Sequence, residues 1–246
     1  MIQVDQLYKK FPNALLPSVN DLSFSFRRGS ISGILGPNGA GKTTTISILS
    51  GALRDYKGKV QVMGFQLPSQ SNSLAIALGL VPQQIALYPN LSCRENLQYF
   101  GSLYPIPSVE LRKRMEEALD YFGLKEHEHK LIRHFSGGMK RRANIIASLL
   151  HQPDLLILDE PTAGVDVQSR NHILRFLREY RDRGHSVIYT SHILEEAEHL
   201  CDDILIMDQG KKIVQGHPLQ LISDYKVNDL ESLFLQLTGY KLRDMV

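Results

Sequence analysis

Cysteine is scarce in this 246-residue chain. Cys93 and Cys201 lie far apart and form neither a C-x-x-C pair nor a His-rich ligand pattern. That leaves no disulfide framework to read, and the pair reads as reduced cytosolic thiols. A strong charge of one sign is also missing: 28 basic residues against 26 acidic ones give a formal net charge of +2. No global field recruits nucleic acid or anionic lipid, so partners are recognised locally and nucleic acid is not expected among them. No apolar run approaches the roughly 18 residues that span a bilayer, and the opening MIQVDQLYKKF lacks a signal-peptide layout. If the protein serves a membrane, it does so through a partner. Low-complexity tracts are absent, and 43% apolar with 22% charged residues is ordinary for a globular protein. The length suits one domain with a subdomain inserted.

What is present alternates strand and helix. IQVDQLYKKF and VNDLSFSF alternate like half-buried strands, and SISGIL is a more fully buried one that enters a glycine loop. KTTTISILSGAL, from Lys42, reads as a helix. KVQVMG and LGLVPQ follow as short strands, and from about residue 84 to 150 the texture is mostly helical. In SVELRKRMEEALDYFGL, the residues Leu111, Met115, Ala118, Leu119 and Phe122 share one face, and a helix after Ser136 buries Ala143, Ile146, Ala147 and Leu150. DLLILDE is a near-continuous apolar run, as expected of a central parallel strand whose C-terminal edge faces a ligand. Helix VQSRNHILRFLREYRDRG, strand SVIYTSH, helix ILEEAEHL and the paired strands DDILIMDQG and KKIVQG complete the alternation, which argues for a three-layer α/β core. The tail DLESLFLQLTGYKLRD starts as an amphipathic helix with Leu230, Leu233, Phe234 and Leu237 on one side.

The loop GPNGAGKTT, Gly36 to Thr44, satisfies G-x-x-x-x-G-K-S/T between a strand and a helix. Its glycines let consecutive backbone N–H groups turn inward on phosphates, and the helix adds its positive dipole end. Lys42 supplies a point charge for the β- and γ-phosphates, and the Thr43 hydroxyl suits Mg²⁺. Asp159 and Glu160 end the apolar strand. The first acid can hold Mg²⁺, and the second can orient and deprotonate an attacking water. Between these parts stands FSGGMKRR, Phe135 to Arg142. Ser136 is a good N-cap, and Gly137 and Gly138 open the first helical turn to a phosphate. A second anion-binding helix start makes sense if it meets another molecule's nucleotide. KRR, Lys140 to Arg142, reads as an exposed face of that helix, and EHEHK, with His127 and His129, as solvated surface.

With these motifs in this order, the sequence resembles the nucleotide-binding subunit of ABC transporters from about Met1 to its C-terminus. The implied fold is a P-loop NTPase three-layer core with an N-terminal antiparallel β subdomain and an inserted α-helical subdomain. One domain, residues 1–246, would hold a helical subdomain at about 84–150 and C-terminal strands and helices at about 202–246. FSGGM resembles the family signature LSGGQ, departing at Phe135 and Met139. The resemblance implies ATP with Mg²⁺ as ligands, bound by Gly36, Pro37, Asn38, Gly39, Ala40, Gly41, Lys42, Thr43 and Thr44. In YKKFPN, Phe11 matches the aromatic that stacks on adenine, with Tyr8 as the alternative. Gln83 in LVPQQ matches the glutamine loop, contacting Mg²⁺ and the attacking water, with Gln84 as the alternative. Asp166 in TAGVD matches the D-loop and equally suits the N-cap of the next helix. His192 matches the switch histidine that reaches the γ-phosphate.

The resemblance further implies a divided site, in which the signature segment of a second ATPase subunit completes the loop of the first in a head-to-tail dimer. Its partners would be integral membrane permease subunits, docked near Gln83 to Asn90 at the cytoplasmic face of the membrane, and the permease would set the transported substrate. The whole motif set is most similar to the exporter branch. An importer subunit or a soluble ATPase of the iron–sulfur assembly type is the alternative.

Overall fold

The computed structural model describes residues 1–239. The last part of the expected tail segment, from residue 240 on, lies outside them. β1 (Ile2–Lys9) and β2 (Val19–Phe26) bury alternate apolar residues: Ile2, Val4 and Leu7 on one, Leu22, Phe24 and Phe26 on the other. Next come β3 (Ile31–Leu35), the glycine loop, α1 (Lys42–Leu49), β4 (Lys57–Val62) and β5 (Phe65–Leu67). Four of these strands form an antiparallel sheet in the order β2-β1-β4-β5. α2 (Ser71–Ala77) then leads to β6 (Leu78–Val81).

Three helices follow: α3 (Cys93–Ser102), α4 (Ser108–Tyr121) and α5 (Gly137–Leu149). α3 begins in a capping box, with the Glu95 N–H donating to Ser92 Oγ at 3.2 Å and the Ser92 N–H donating to Glu95 Oε2 at 2.7 Å. Of the apolar face expected on α4, Leu111, Met115, Leu119 and Phe122 are buried and Ala118 is half-buried beside them. The chain continues through β7 (Leu155–Asp159), α6 (Val167–Asp182), β8 (Ser186–Ser191), α7 (Leu194–Leu200), β9 (Asp203–Asp208), β10 (Lys211–Gly216), α8 (Pro218–Tyr225) and α9 (Leu230–Thr238).

The second sheet runs β10-β9-β3-β8-β7-β6, parallel throughout except for β10. On β7, Leu155 and Ile157 pack toward α1 and the antiparallel sheet, while Leu156 and Leu158 pack toward the helices on the other side. A strand covered on both faces has no polar side to show, which is why LLIL reads as an unbroken apolar run. The architecture is therefore an α/β P-loop NTPase fold: three layers, an antiparallel β subdomain and an inserted helical segment. β5, α2 and α8 have no counterpart in the reading of the sequence.

His151, just past α5, joins three of these pieces. Its ring stacks on Tyr104 with centroids 3.9 Å apart and planes 1° from parallel, and its Nε2 lies 3.1 Å from the Leu78 carbonyl of β6. Burial holds its pKa below the ordinary histidine value. The unfolded chain then takes up the proton first as pH falls, so this group contributes stability above the unfolded pKa of about 6.5 and loses it below. His151→Phe keeps the stack and drops the titration. Its thermal midpoint at pH 7.5 is expected to fall by the worth of one hydrogen bond, about 1 kcal/mol or roughly 2–4 °C. The drop in midpoint between pH 7.5 and 5.5 should be smaller than in the parent, and an unchanged drop would show that His151 does not titrate on unfolding.

Candidate functional site

The glycine loop is held by backbone of β9 and of the segment just ahead of β2. Gly36 has φ +151° and Gly41 has φ +102°. A methyl group at Gly36 would collide with the Met207 carbonyl oxygen of β9, and one at Gly41 with the Ser18 carbonyl oxygen ahead of β2. Only glycine permits both approaches. The Gly210 N–H donates to the Ala40 carbonyl at 2.9 Å and fixes the loop from the β10 side. At Gly39, by contrast, an added methyl meets nothing within 4 Å, so the loop is open to solvent at that position. Asn38 and Thr43 are exposed and Thr44 half-buried at this rim, while Pro37 and Ala40 are buried beneath it. Lys42 is only 5% exposed, and its ammonium donates to the carbonyls of Gly36 at 2.8 Å and Pro37 at 3.2 Å.

Beside that ammonium lies Glu160, buried at the end of β7 with φ +47°. Its Oε1 is 3.3 Å from Lys42 Nζ and 3.3 Å from His192 Nδ1, the latter without hydrogen-bond alignment. Its Oε2 accepts the Gln83 side-chain amide at 3.0 Å. Thr190 of β8 ties the two strand-end acids together, donating to Asp159 Oδ1 at 2.6 Å and accepting the Glu160 N–H at 2.9 Å. Lys42, Gln83, Asp159, Glu160 and His192, dispersed along the chain, thus meet at the C-terminal edge of the parallel sheet. Thr190 was not foreseen, and its only signal was its place at a strand end between Tyr189 and Ser191.

A second group forms around the start of α5. Ser136 caps the helix, its Oγ accepting the Met139 N–H at 3.2 Å, and Ser136 and Gly137 are exposed. A methyl on Gly138 would press on Ser169 Oγ and stand 2.7 Å from Asp166 Oδ2, so this glycine lets the start of α5 rest on the start of α6. Asp166 caps α6, accepting the Ser169 N–H and hydroxyl at 2.8 Å each. Those hydrogen bonds, the backbone one foremost, hold its carboxyl below the usual range. Phe135 is buried at 5% exposure and Met139 packs against the same core. Phe11 lies elsewhere, after β1, at 40% exposure, and Tyr8 is half-buried.

One expectation is corrected. Lys140 to Arg142 do not form an exposed face: Arg141 is 5% exposed and the other two are half-buried. The Arg141 guanidinium donates to the Pro82 carbonyl at 2.9 Å and the Gln83 carbonyl at 2.7 Å, and that of Arg142 to the Phe122 carbonyl at 2.6 Å. Burial lowers the pKa of Arg141 against the nearby charges of Asp159 and Glu160. The segment carrying Gln83 is thereby fastened to α5. His127 and His129 are exposed, as expected.

Comparison with known proteins agrees with this geometry. The family model described as ABC transporter matches residues 19–163. The linearmycin resistance ATP-binding protein of Bacillus subtilis is 46% identical over 223 residues, which cover 91% of this chain and 71% of that one. The Nod factor export ATP-binding protein I of Ralstonia nicotianae is 40% identical over 223 residues, 91% of this chain and 69% of that one. A solved structure of an ATP-binding subunit of an ABC transporter superposes with a TM-score of 0.87 at 27% identity, covering 97% of this chain and 99% of that one. This chain belongs to the ABC transporter family, as an ATP-binding subunit and an ATPase.

Proposed function

We propose that the chain hydrolyses ATP to power a separate membrane permease, working in the outward direction. Export is favoured by the relatives, which are named for linearmycin resistance and Nod factor export. A separate permease fits the described residues, among which no helix is long and apolar enough to cross a membrane. We read the chain as one ATPase domain with a helical subdomain at about residues 84–150, acting at the cytoplasmic face through that permease.

The observation that carries the catalytic reading is the convergence of Lys42, Gln83 and His192 on the Glu160 carboxylate. Glu160 is the base that orients and deprotonates water, in a site whose low exposure strengthens each charge. Gln83 and His192 hold that water and the γ-phosphate on either side of it. Lys42 binds the β- and γ-phosphates together with backbone N–H groups of the glycine loop and the start of α1, and a triphosphate there competes with Glu160 for the ammonium. The hydroxyl of Thr43, the amide of Gln83 and the carboxylate of Asp159 are hard oxygen donors that fit Mg²⁺, and magnesium when bound neutralises phosphate charge. Phe11 is the platform for adenine.

The exposed Ser136 and Gly137 at the start of α5 offer a second anion site, separate from the one beside Glu160, with Gly138 packed behind them on Asp166. Such a site is useful when it meets the nucleotide of a partner subunit, which gives a head-to-tail pair. The permease contact is an apolar groove of about 260 Å³ lined in part by Pro82, Ala86, Phe100, Leu103 and Tyr104, with Leu103 62% exposed. It adjoins the Gln83 segment, so movement of that loop is felt there. Affinity purification from detergent-solubilised membranes tests the assignment. An integral membrane protein should copurify, and Leu103→Glu should lose it while keeping ATPase activity. Recovery of soluble assembly proteins alone would favour the iron–sulfur type of ATPase.

A further inference from the structure

Lys9 ends β1, where a lysine ordinarily reaches into water, yet its side chain is only 5% exposed. Its ammonium donates to Asp55 Oδ2 at 2.8 Å and stands over the ring of Phe11, 5.0 Å from the centroid. Asp55 itself is 96% exposed. The cation is thus drawn from water by an aromatic face on one side and anchored by a solvated carboxylate on the other. Phe11 remains 40% exposed, so the ring is backed but not enclosed.

The loop that carries Phe11 is also tied to the phosphate loop. The Ser18 N–H donates to the Lys9 carbonyl at 2.8 Å, closing residues 9 to 18 on themselves. The Ser18 carbonyl in turn abuts Gly41 at the start of α1. One backbone junction therefore sets the distance between the aromatic ring and the phosphate site.

A cation on one face of an aromatic ring is attracted by the negative quadrupole of that face. It draws electron density toward itself, so a second π-system stacking on the opposite face meets less repulsion. We infer that Lys9 is a positioning residue for the nucleotide base: its ammonium backs Phe11 so that the outer face of the ring takes up the purine. The inference rests on Phe11 being the adenine platform, and it adds a residue that acts through that ring without touching phosphate.

Because the contribution belongs to the base, it can be separated from phosphate binding. ADP and inorganic pyrophosphate are compared by calorimetry in the parent protein and in Lys9→Met, Lys9→Arg and Phe11→Ala. Lys9→Met is expected to weaken ADP binding about three- to tenfold, the range of a partly exposed cation–π contact, and to leave pyrophosphate unchanged. Lys9→Arg, which keeps the cation, should restore ADP binding to within about twofold. If Lys9→Met fails to fold, Lys9→Gln, which keeps a donor for Asp55, gives the same readout. Unchanged ADP binding without the lysine, while Phe11→Ala weakens it, overturns the role of Lys9 alone. Equal weakening of ADP and pyrophosphate also overturns it, since a general disturbance of the fold moves both. If Phe11→Ala itself leaves the ADP-to-pyrophosphate ratio unchanged, the adenine platform is misassigned and the inference falls with it.

Discussion

Glu160→Gln is expected to bind ATP at least as tightly as the parent, to hydrolyse it about 10²–10⁴-fold more slowly, and to accumulate as an ATP-bound dimer. Glutamine keeps the shape and can still accept a hydrogen bond, so the local packing survives. What goes is the charge. Without it the carboxylate no longer holds Lys42 at 3.3 Å in competition with phosphate, and no basic oxygen faces the water. In the proposed head-to-tail pair, where the second anion site of each subunit would complete the first site of the other, failure to hydrolyse keeps the shared contacts in place. The dimer is then a trapped state rather than a passing one. Gel filtration with light scattering, with and without Mg-ATP, reads the size, and phosphate release reads turnover. Hydrolysis near the parent rate would remove Glu160 from the role of base. A protein that stays monomeric in ATP would count against self-pairing and in favour of a different ATPase chain, or of a permease that brings the halves together.

The parts of this site that were legible in the sequence are those where chemistry fixes spacing. Gly36, Gly41 and Lys42 must stand at set intervals for backbone amides to face a phosphate, and Asp159 and Glu160 must follow a strand buried on both faces. Arg141 escaped for the opposite reason. Its partners are the carbonyls of Pro82 and Gln83, far away in the chain, and nothing in KRR tells a cation that finds buried carbonyls from one that finds water. The strand β5 spans three residues, and the helix α2 buries only Ser71 and Leu74, too little for a period to register. The helix starts read more reliably, because Ser136 and Asp166 announce their caps locally through side chains that accept N–H groups three residues on.

Glu196→Leu is expected to destabilise the protein by about 2–4 kcal/mol, the cost of leaving buried hydroxyls without their acceptor beside a guanidinium that water only partly reaches, and to slow hydrolysis with it. Glu196 lies on α7 one turn beyond His192 and is 3% exposed. Its Oε2 accepts the hydroxyls of Thr162 at 2.7 Å and of Tyr189, and its Oε1 meets the Arg170 guanidinium at 2.7 Å as an ion pair without an aligned N–H. Burial first, and then this carboxylate, raise the Tyr189 phenol well above its ordinary pKa, so it stays a donor at any working pH. One side chain therefore joins β8, α7, the turn two residues past Glu160, and α6 one turn past Asp166. These are the elements that carry His192, Glu160 and Asp166. Leucine fills the volume but leaves two buried hydroxyls and a guanidinium without their acceptor. Glu196→Gln keeps an acceptor for the hydroxyls and loses only the charge, so it should cost about 1–2 kcal/mol. Denaturant unfolding separates the two variants. If leucine proved as stable as the parent, the cluster would be a packing feature with no electrostatic part. If glutamine cost as much as leucine, the pairing with Arg170, not the hydroxyl contacts, would be what keeps the arms of Glu160 and His192 in register.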